Sequence, residues 1–128
     1  MPITLRFEGD LIHTRLVGRV TIEDLLAHYA SPALDVPRGA WREIVDDRAM
    51  TEMAITANDQ ERLAAFVATK APLLRNGRVA MLASTEVCYG MFRMWEIQRE
   101  DLDYSVTVFR DVAAARQWLG FPPLENPS

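Results

Sequence analysis

The residue types that most often perform chemistry are few and scattered in this sequence. Histidine occurs as His13 and His28, and the single cysteine is Cys88. Structural zinc sites take four ligands, mostly cysteine and histidine, so no metal centre is predicted and no cofactor is expected. The six glycines form neither a phosphate-binding loop nor a nucleophile elbow. No catalytic residue is therefore assigned, and enzyme activity is not the favoured interpretation.

The lone cysteine allows two interpretations. Cys88 falls in the first turn of a predicted helix, where the helix dipole lowers the pKa of a thiol and favours reactivity. It also falls on the apolar side of that helix, beside Val87 and Met91. The second observation favours a packed core residue, since a free cysteine commonly behaves as a small hydrophobic side chain.

One charged group follows a predicted strand. Asp46, Asp47 and Arg48 come directly after the apolar pair Ile44-Val45. Ligands of open α/β sheets bind outside the carboxyl ends of strands, so this tripeptide is a candidate wall of a cleft. Adjacent strand residues point to opposite faces, so the two carboxylates are not a matched acid/base pair. We favour the alternative that one aspartate ties down the next loop and Arg48 pairs with a nearby acid.

A second polar group lies on a predicted helix. Tyr89, Arg93 and Glu96 are four and three residues apart and share one helix face. They form either a polar seam that positions the helix or one wall of the cleft. Gly90 lowers helix stability relative to alanine, and close packing on the sheet is its predicted reason. The complete ligand or partner cleft is predicted to comprise Asp46, Asp47, Arg48, Ser84, Thr85, Tyr89, Arg93 and Glu96.

Hydrophobic periodicity predicts the strands that position these residues. Alternation over residues 3–8 and the turn Gly9-Asp10 indicate a hairpin, whose second strand ends at Gly18-Arg19. Val79 to Ala83 shows no alternation, which is typical of a strand buried on both faces in the middle of a sheet. The five predicted strands are residues 3–8, 11–17, 41–46, 79–83 and 105–109.

Capping residues predict four helices between and after these strands. The helices begin at Thr21, at Thr56, at Ser84 or Thr85, and at Asp111. Pro72 is expected to end or kink the second helix. The buried stripe of the third helix is predicted to be Val87, Cys88, Met91, Met94 and Trp95.

The order of elements, ββαβαβαβα, predicts an α/β fold with a mixed five-stranded sheet. Strands two to five are joined through helices and should run parallel, whereas strand one pairs antiparallel through the hairpin. Residues 1–120 are expected to form a single domain, with residues 121–128 as a C-terminal tail. Strands one and five are the candidate edges, where an unpaired strand invites pairing with a second copy. A homodimer is therefore one expectation.

Composition narrows the class of protein. The chain has 128 residues and a formal net charge of −4, so a nucleic-acid partner, which usually meets a basic surface, is not expected. Neither a secretory signal nor a membrane-spanning run is recognisable in the sequence. With one cysteine and no intrachain disulfide, a cytoplasmic location without membrane insertion is predicted.

Four features together resemble a known family. They are the opening hairpin with its Thr-capped helix, the run Ile44-Val45-Asp46-Asp47-Arg48, the unit around Arg78-Val79-Ala80, and Tyr89-Gly90-Met91-Phe92-Arg93-Met94-Trp95-Glu96. In this combination the chain resembles the STAS-like branch of the anti-sigma-factor antagonist superfamily, which is also compared with CRAL-TRIO lipid-transfer domains. The resemblance spans about residues 3–119 and implies a STAS-like fold.

Resemblance to the true anti-sigma-factor antagonists would imply a protein-docking switch. In those proteins a serine in an Asp-Ser-Ser/Thr-Gly segment is phosphorylated. The corresponding stretch here, from Arg48 to Thr56, contains neither serine nor glycine. Thr56 is better explained as a helix cap, which a phosphate would disturb. The phosphorylation switch is therefore not carried over to this chain.

Three alternative functions, each from a different class of protein, are compatible with the sequence. The first is a non-catalytic regulatory or protein-interaction domain without the phosphorylatable serine. The second is a domain that binds a small apolar or amphipathic ligand between the sheet and the helix of Met91, Met94 and Trp95, because methionine adapts to varied ligand shapes. The third is an enzyme of unknown class that uses Asp46, Asp47 or Arg93. A ligand-sized interior cavity would favour the second function.

Overall fold

The computed structural model describes residues 2–36, 39–98 and 103–122. The five strands are β1 (Ile3–Glu8), β2 (Leu11–Thr21), β3 (Arg42–Ala54), β4 (Arg78–Leu82) and β5 (Ser105–Phe109). The helices are α1 (Ile22–Tyr29), α2 (Ala57–Ala68), α3 (Ala71–Leu74), α4 (Glu86–Gln98) and α5 (Val112–Leu119), with a 3₁₀ turn at Pro32–Asp35. None of the helices in these parts of the chain is long and apolar enough to cross a membrane.

The sheet confirms the predicted topology. Its strand order is β1-β2-β3-β4-β5, with β1 antiparallel to β2 and every later neighbour parallel. The strand predicted at the centre, β4, pairs with β3 on one side and β5 on the other. Ala80, Leu82 and Ala83 are at most 2% exposed. As expected, β1 and β5 form the two edges of the sheet.

Two separate apolar clusters cover the two faces of this sheet. On one side, which we call the four-helix face, Leu16, Val45 and Val79 pack against side chains of α1, α2, α3 and α4. On the other side, which we call the α5 face, Leu11, Ile44 and Ala80 pack against Ala115 and Leu119 of α5. Adjacent strand residues alternate between the faces, so Val79 and Ala80 serve opposite layers. A single short helix therefore covers the second face.

The segment after α5 is held against the same face. Phe121 packs on the apolar cluster of the α5 face, and the carbonyl oxygen of Pro122 accepts a 2.7 Å hydrogen bond from Nε of Arg116. These are the first two residues of the predicted tail. The other six, residues 123–128, lie outside the described residues.

Strands β2 and β3 are both longer than predicted. Gly18 and Arg19 were expected to end β2, but Gly18 takes a positive φ of 66° and the pairing continues to Thr21 after a shift in register. β3 was expected to end at Asp46, yet it runs on to Ala54 and pairs with β2 alone beyond that point. The left-handed conformation, which glycine adopts without steric cost, is accommodated inside the strand. Asp46, Asp47 and Arg48 consequently lie inside β3.

The helices differ from the prediction in number and in orientation. Lys70 and its neighbours separate α2 from the short α3, and Pro72 lies near the start of α3 instead of ending α2. The buried stripe of α4 consists of Cys88, Phe92 and Trp95, which are spaced four and three residues apart. Val87 and Met94, predicted within that stripe, are 73% and 51% exposed. The predicted stripe therefore includes the buried Cys88 and Trp95 but was wrong in placing Val87 and Met94 on the buried side of α4.

The capping predictions are confirmed. Thr21 with Asp24, and Thr56 with Asp59, each form a reciprocal capping box. Thr85, rather than Ser84, caps α4 by accepting a 3.1 Å hydrogen bond from the Cys88 amide. The side chain of Asp111 accepts hydrogen bonds from the first amides of α5. These contacts satisfy helix amides that have no partner within the helix.

Candidate functional site

A cavity of about 100 Å³ lies between the four-helix face and the helices above it. Strand residues form its floor, helix residues form its roof, and most of its lining is apolar. Residues that line it include Leu16, Val45, Leu63, Val67, Met81 and Trp95. Natural protein interiors contain few voids larger than a water molecule. A space of this size inside so small a domain is therefore the strongest candidate for a site.

One charged side chain, Glu43 of β3, lies in the lining although it is only 2% exposed. Its Oε2 accepts hydrogen bonds from Oγ1 of Thr14 at 2.6 Å and from the hydroxyl of Tyr29 at 2.9 Å. Its Oε1 accepts a 3.1 Å hydrogen bond from Nε1 of Trp41. A buried charge is costly unless polar partners surround it. Here three neutral donors supply that environment.

The hydrogen-bonded group extends away from the cavity to His28 of α1. Thr14 gives its one hydroxyl proton to Glu43, so its oxygen must accept the 3.0 Å hydrogen bond from Nε2 of His28. His28 is 9% exposed, and its ring meets the Tyr29 ring edge-on with centroids 4.7 Å apart. His28 is thus a structural part of this group.

Burial shifts two of the neighbouring pKa values. It raises the pKa of Tyr29 well above its ordinary value, and the adjacent Glu43 raises it further. Burial also lowers the pKa of His28, against a smaller opposing effect of Glu43. Tyr29 therefore remains a protonated donor to Glu43 across the pH range in which proteins are stable, and His28 is neutral at pH 7.

The side of the cavity nearer to solvent carries a balanced ion pair. Nζ of Lys70 lies 2.7 Å from Oδ1 of Asp35, and both residues belong to the lining. Their side chains are 23% and 47% exposed. A second polar feature is Gln60 of α2, whose buried Oε1 has no hydrogen-bond partner among the described residues.

The eight residues of the predicted cleft do not come together in one site and instead form several separate local contacts. Asp46 and Arg48 form a salt bridge, with Nη2 of Arg48 2.9 Å from Oδ2 of Asp46. Asp46 lies two residues after Ile44 and so on the α5 face, and the salt bridge holds the Arg48 side chain beside it. Burial raises the pKa of Asp46, but the hydrogen bonds and charge of Arg48 outweigh it and leave that pKa below its usual value.

Asp47 points to the opposite side of β3 and is 1% exposed. Both of its carboxyl oxygens accept from the amide of Ser84, at 2.9 and 3.0 Å. This contact ties the loop after β4 to β3, whereas the sequence interpretation had an aspartate tie down the loop that follows its own strand. Burial raises the pKa of Cys88, and Asp47 adds to that rise against a hydrogen bond to Thr85. The thiol is therefore not activated, in agreement with the interpretation of Cys88 as a core residue.

The polar residues of α4 also have local partners. Arg93 pairs with Glu96, whose other oxygen accepts a 2.9 Å hydrogen bond from the amide of Val108. The guanidinium of Arg110 lies 4.1 Å from the centre of the Tyr89 ring. These contacts form a seam between α4 and β5. Within the described lining, the cavity contains none of the eight predicted residues.

Gly90 has a different environment from the one predicted. It is exposed, and a Cβ built on it would meet nothing within 4 Å. It does not allow α4 to approach the sheet. Gly77 is the close-approach glycine, since a Cβ there would lie 2.7 Å from the Leu74 carbonyl oxygen and 2.9 Å from Cβ of Trp41.

Sequence reasoning missed Glu43, the central residue of the cavity. A signal was present, because Glu43 and Val45 occupy alternate positions of a strand and must point to the same face. A carboxylate that shares a face with buried apolar residues needs partners or a function. Tyr29 and Thr14 could not be identified as those partners without the fold.

Comparisons with known proteins address the fold. No protein-family profile matches the chain, and no curated protein matches it. Among solved structures, the chain is similar to an uncharacterised protein of the DUF3478 family with a SpoIIAA-like fold from Shewanella loihica PV-4. The TM-score is 0.58 and the identity is 19%, over 91% of both chains. At this identity the likeness establishes the fold alone. The chain has a SpoIIAA-like fold, the STAS-like fold of anti-sigma-factor antagonists, as the sequence resemblance implied.

Proposed function

We propose that this STAS-like domain binds a small, largely apolar ligand in the cavity on its four-helix face. The cavity carries the proposal, because about 100 Å³ of space surrounded by apolar side chains stabilises nothing while it is empty. A binding function gives a reason for retaining the space.

The size of the cavity limits the ligand. An engineered apolar cavity of about 150 Å³ binds benzene, so the smaller space here, which opens partly to solvent, suits a ligand built on a single six-membered ring. Toluene is a suitable first probe because it has no polar group. Trp41 and Trp95 both line the cavity, so binding should also change the tryptophan fluorescence.

A thermal-shift titration with toluene tests the proposal. At ten times its dissociation constant, a ligand that binds only the folded state adds about 1.4 kcal/mol, which corresponds to a rise in Tm of about 4 °C for a domain of this size. The Val67→Phe variant fills the cavity and should not respond. Val112→Phe makes the same change on α5, outside the lining, and should respond like the unaltered chain. If toluene shifts none of the three, the domain does not bind apolar ligands in this cavity.

A second candidate function is that of a non-catalytic regulatory or protein-interaction domain. The STAS-like fold supports it, and so do apolar side chains on the outer side of α4. Val87, Met94 and Ile97 are 73%, 51% and 54% exposed. Their spacing of seven and three residues matches the repeat by which one helix packs along another. A second copy of α4 would present the same stripe, which makes a homodimer the simplest form of this proposal.

Sedimentation velocity over a wide range of protein concentrations tests that candidate. A dimer formed through α4 should dissociate in Met94→Glu and persist in Arg6→Glu, which changes the edge strand β1. The opposite result would assign the dimer to the strand edge instead. A chain that remains monomeric at every concentration would contradict the homodimer.

A further inference from the structure

The polar atoms of the cavity restrict the chemistry of its ligand, and this inference rests on the proposed binding function. A carboxylate group offers about four acceptor positions. Among the described residues, three of the acceptor positions of Glu43 are occupied, two on Oε2 and one on Oε1. Oε1 therefore retains room for one more donor. Glu43 belongs to the lining, so a ligand in the cavity is a neighbour that could fill this position.

A second acceptor lies in the same lining. Oε1 of Gln60 is buried and has no hydrogen-bond partner among the described residues. An unsatisfied buried acceptor lowers stability until a donor reaches it. Gln60 lies on α2 and Glu43 on β3, so acceptors come from both the roof and the floor of the cavity.

Three donors of the lining are already used. The hydroxyl of Tyr29 and the indole N–H of Trp41 both donate to Glu43, and each of these groups has a single proton to donate. Nζ of Lys70 is engaged by Asp35, which balances its charge. A ligand carboxylate placed beside Glu43 would therefore face a like charge in a low-dielectric space, where repulsion is strong.

We propose that the cavity selects an apolar molecule that carries a hydroxyl or N–H donor, directs this donor to Glu43, and rejects a carboxylate of the same size. The apolar lining binds the body of the ligand. The open acceptor position on Glu43 fixes its orientation, and Gln60 provides the alternative acceptor. The selectivity is a property of the ligand head group and is separate from the ability of the cavity to hold apolar molecules.

A series of three ligands of nearly equal size tests this proposal at pH 7. Toluene, benzyl alcohol and benzoate share one ring and differ in the group attached to it. We expect benzyl alcohol to bind several-fold more tightly than toluene and at least about tenfold more tightly than benzoate, a ratio that corresponds to 1.4 kcal/mol. Tryptophan fluorescence gives the dissociation constants, and Val67→Phe reports any binding outside the cavity.

The outcomes separate the two proposals. If toluene binds but benzoate binds as tightly as benzyl alcohol, the inference about the head group is overturned and the proposed apolar binding function stands. If none of the three binds, the proposed function itself fails. The ratio between benzyl alcohol and benzoate in the unaltered chain decides the question without any variant.

Two variants then locate the selectivity. Glu43→Gln removes the charge, and benzoate should bind about tenfold more tightly relative to toluene than it does in the unaltered chain. Gln60→Leu leaves Glu43 in place, and the ratio between benzyl alcohol and benzoate should remain near its original value. If Glu43→Gln fails to fold, Gln60→Leu still discriminates, because loss of the selectivity in that variant would place the recognition at Gln60 and contradict the role of Glu43.

Discussion

Glu43 on the four-helix face and Arg116 on the α5 face are charged side chains buried to the same 2% exposure, but the two faces hold them in different ways. Glu43 on the four-helix face has three neutral donors and a cavity beside it. Arg116 on the α5 face has a counter-charge, since its Nη1 and Nη2 lie 3.0 and 2.7 Å from the carboxyl oxygens of Glu8. A third bond joins Arg116 to the Pro122 carbonyl.

The difference indicates distinct roles for the two faces. Opposite charges in direct contact are sufficient to fasten α5 to β1, so the Arg116 group is structural. The Glu43 group leaves an acceptor position and unfilled volume next to each other. A site for ligands needs both features, and a structural contact needs neither.

The largest effect is expected from Glu43→Leu. The change leaves the donors of Thr14, Tyr29 and Trp41 without their acceptor, and each unsatisfied buried group costs about 1–3 kcal/mol. We expect the free energy of unfolding to fall by about 3–5 kcal/mol in urea denaturation. Glu43→Gln keeps one carbonyl acceptor and should cost less than half as much. Equal losses in both variants would show that the charge, rather than the set of hydrogen bonds, stabilises this face.

The Glu8–Arg116 pair should make stability depend on pH. Hydrogen bonds from Arg116 lower the pKa of Glu8 from 4.5 to about 2. A lowered pKa in the folded state gives stability that is present above pH 4.5 and lost as the pH falls toward 2. Because the side chain of Glu8 is 36% exposed, screening reduces the contribution to about 1–2 kcal/mol.

The Glu8→Gln variant measures this contribution. It should be less stable than the unaltered chain by about 1–2 kcal/mol at pH 7 and equally stable near pH 2, as followed by thermal unfolding. Glu86→Gln is the control, since Glu86 pairs with Arg110 but is 83% exposed; no measurable loss is expected there. A loss for Glu8→Gln that is independent of pH would contradict the ion pair as its cause.

Added volume should have opposite effects on the two faces. Ala80 is 0% exposed on the α5 face, and Ala80→Val should lower the free energy of unfolding by about 1–3 kcal/mol through overpacking. Val79, the preceding residue, lines the cavity, and Val79→Ile should leave stability unchanged or raise it by up to about 0.8 kcal/mol per added CH₂. Similar losses at both positions would mean that the cavity does not accept extra atoms.

The smallest effect is expected outside both layers. Gly90 is an exposed helical residue with open space where a Cβ would stand, so Gly90→Ala should stabilise the protein by about 0.5–1 kcal/mol. The affinity for toluene should not change, because Gly90 is not in the lining. A change in affinity would link the stability of α4 to the cavity. Gly77→Ala is the matched contrast, because its Cβ would collide with the Leu74 carbonyl, and it should destabilise.

The sequence predicted the fold better than the site, for physical reasons. Strand pairing and topology followed from local alternation, from caps such as Thr56 with Asp59, and from the unbroken apolar run at Val79–Ala83. Helix orientation was predicted less well, because α4 is apolar on both its inner and outer sides and Val87 is as hydrophobic as Cys88. Which apolar side turns inward is decided by packing between elements.

The site could not be predicted because its parts meet only in three dimensions. Glu43 is surrounded by donors from β2, from α1 and from Trp41 just before β3, and Thr14 is 29 residues away in sequence. The candidate tripeptide of Asp46, Asp47 and Arg48 was conspicuous because its charges are consecutive. Consecutive strand residues point apart, and the structure accordingly sends Asp46 and Asp47 to different layers.

The bond between Glu8 and Arg116 joins residues 108 positions apart. Contacts between such distant segments form late, since a long stretch of chain must be brought together first, and they slow folding. During synthesis, the apolar patch of Leu11, Ile44 and Ala80 has no cover until α5 has left the ribosome. A nascent chain stalled before Val112 would expose this patch and be a natural substrate for chaperones.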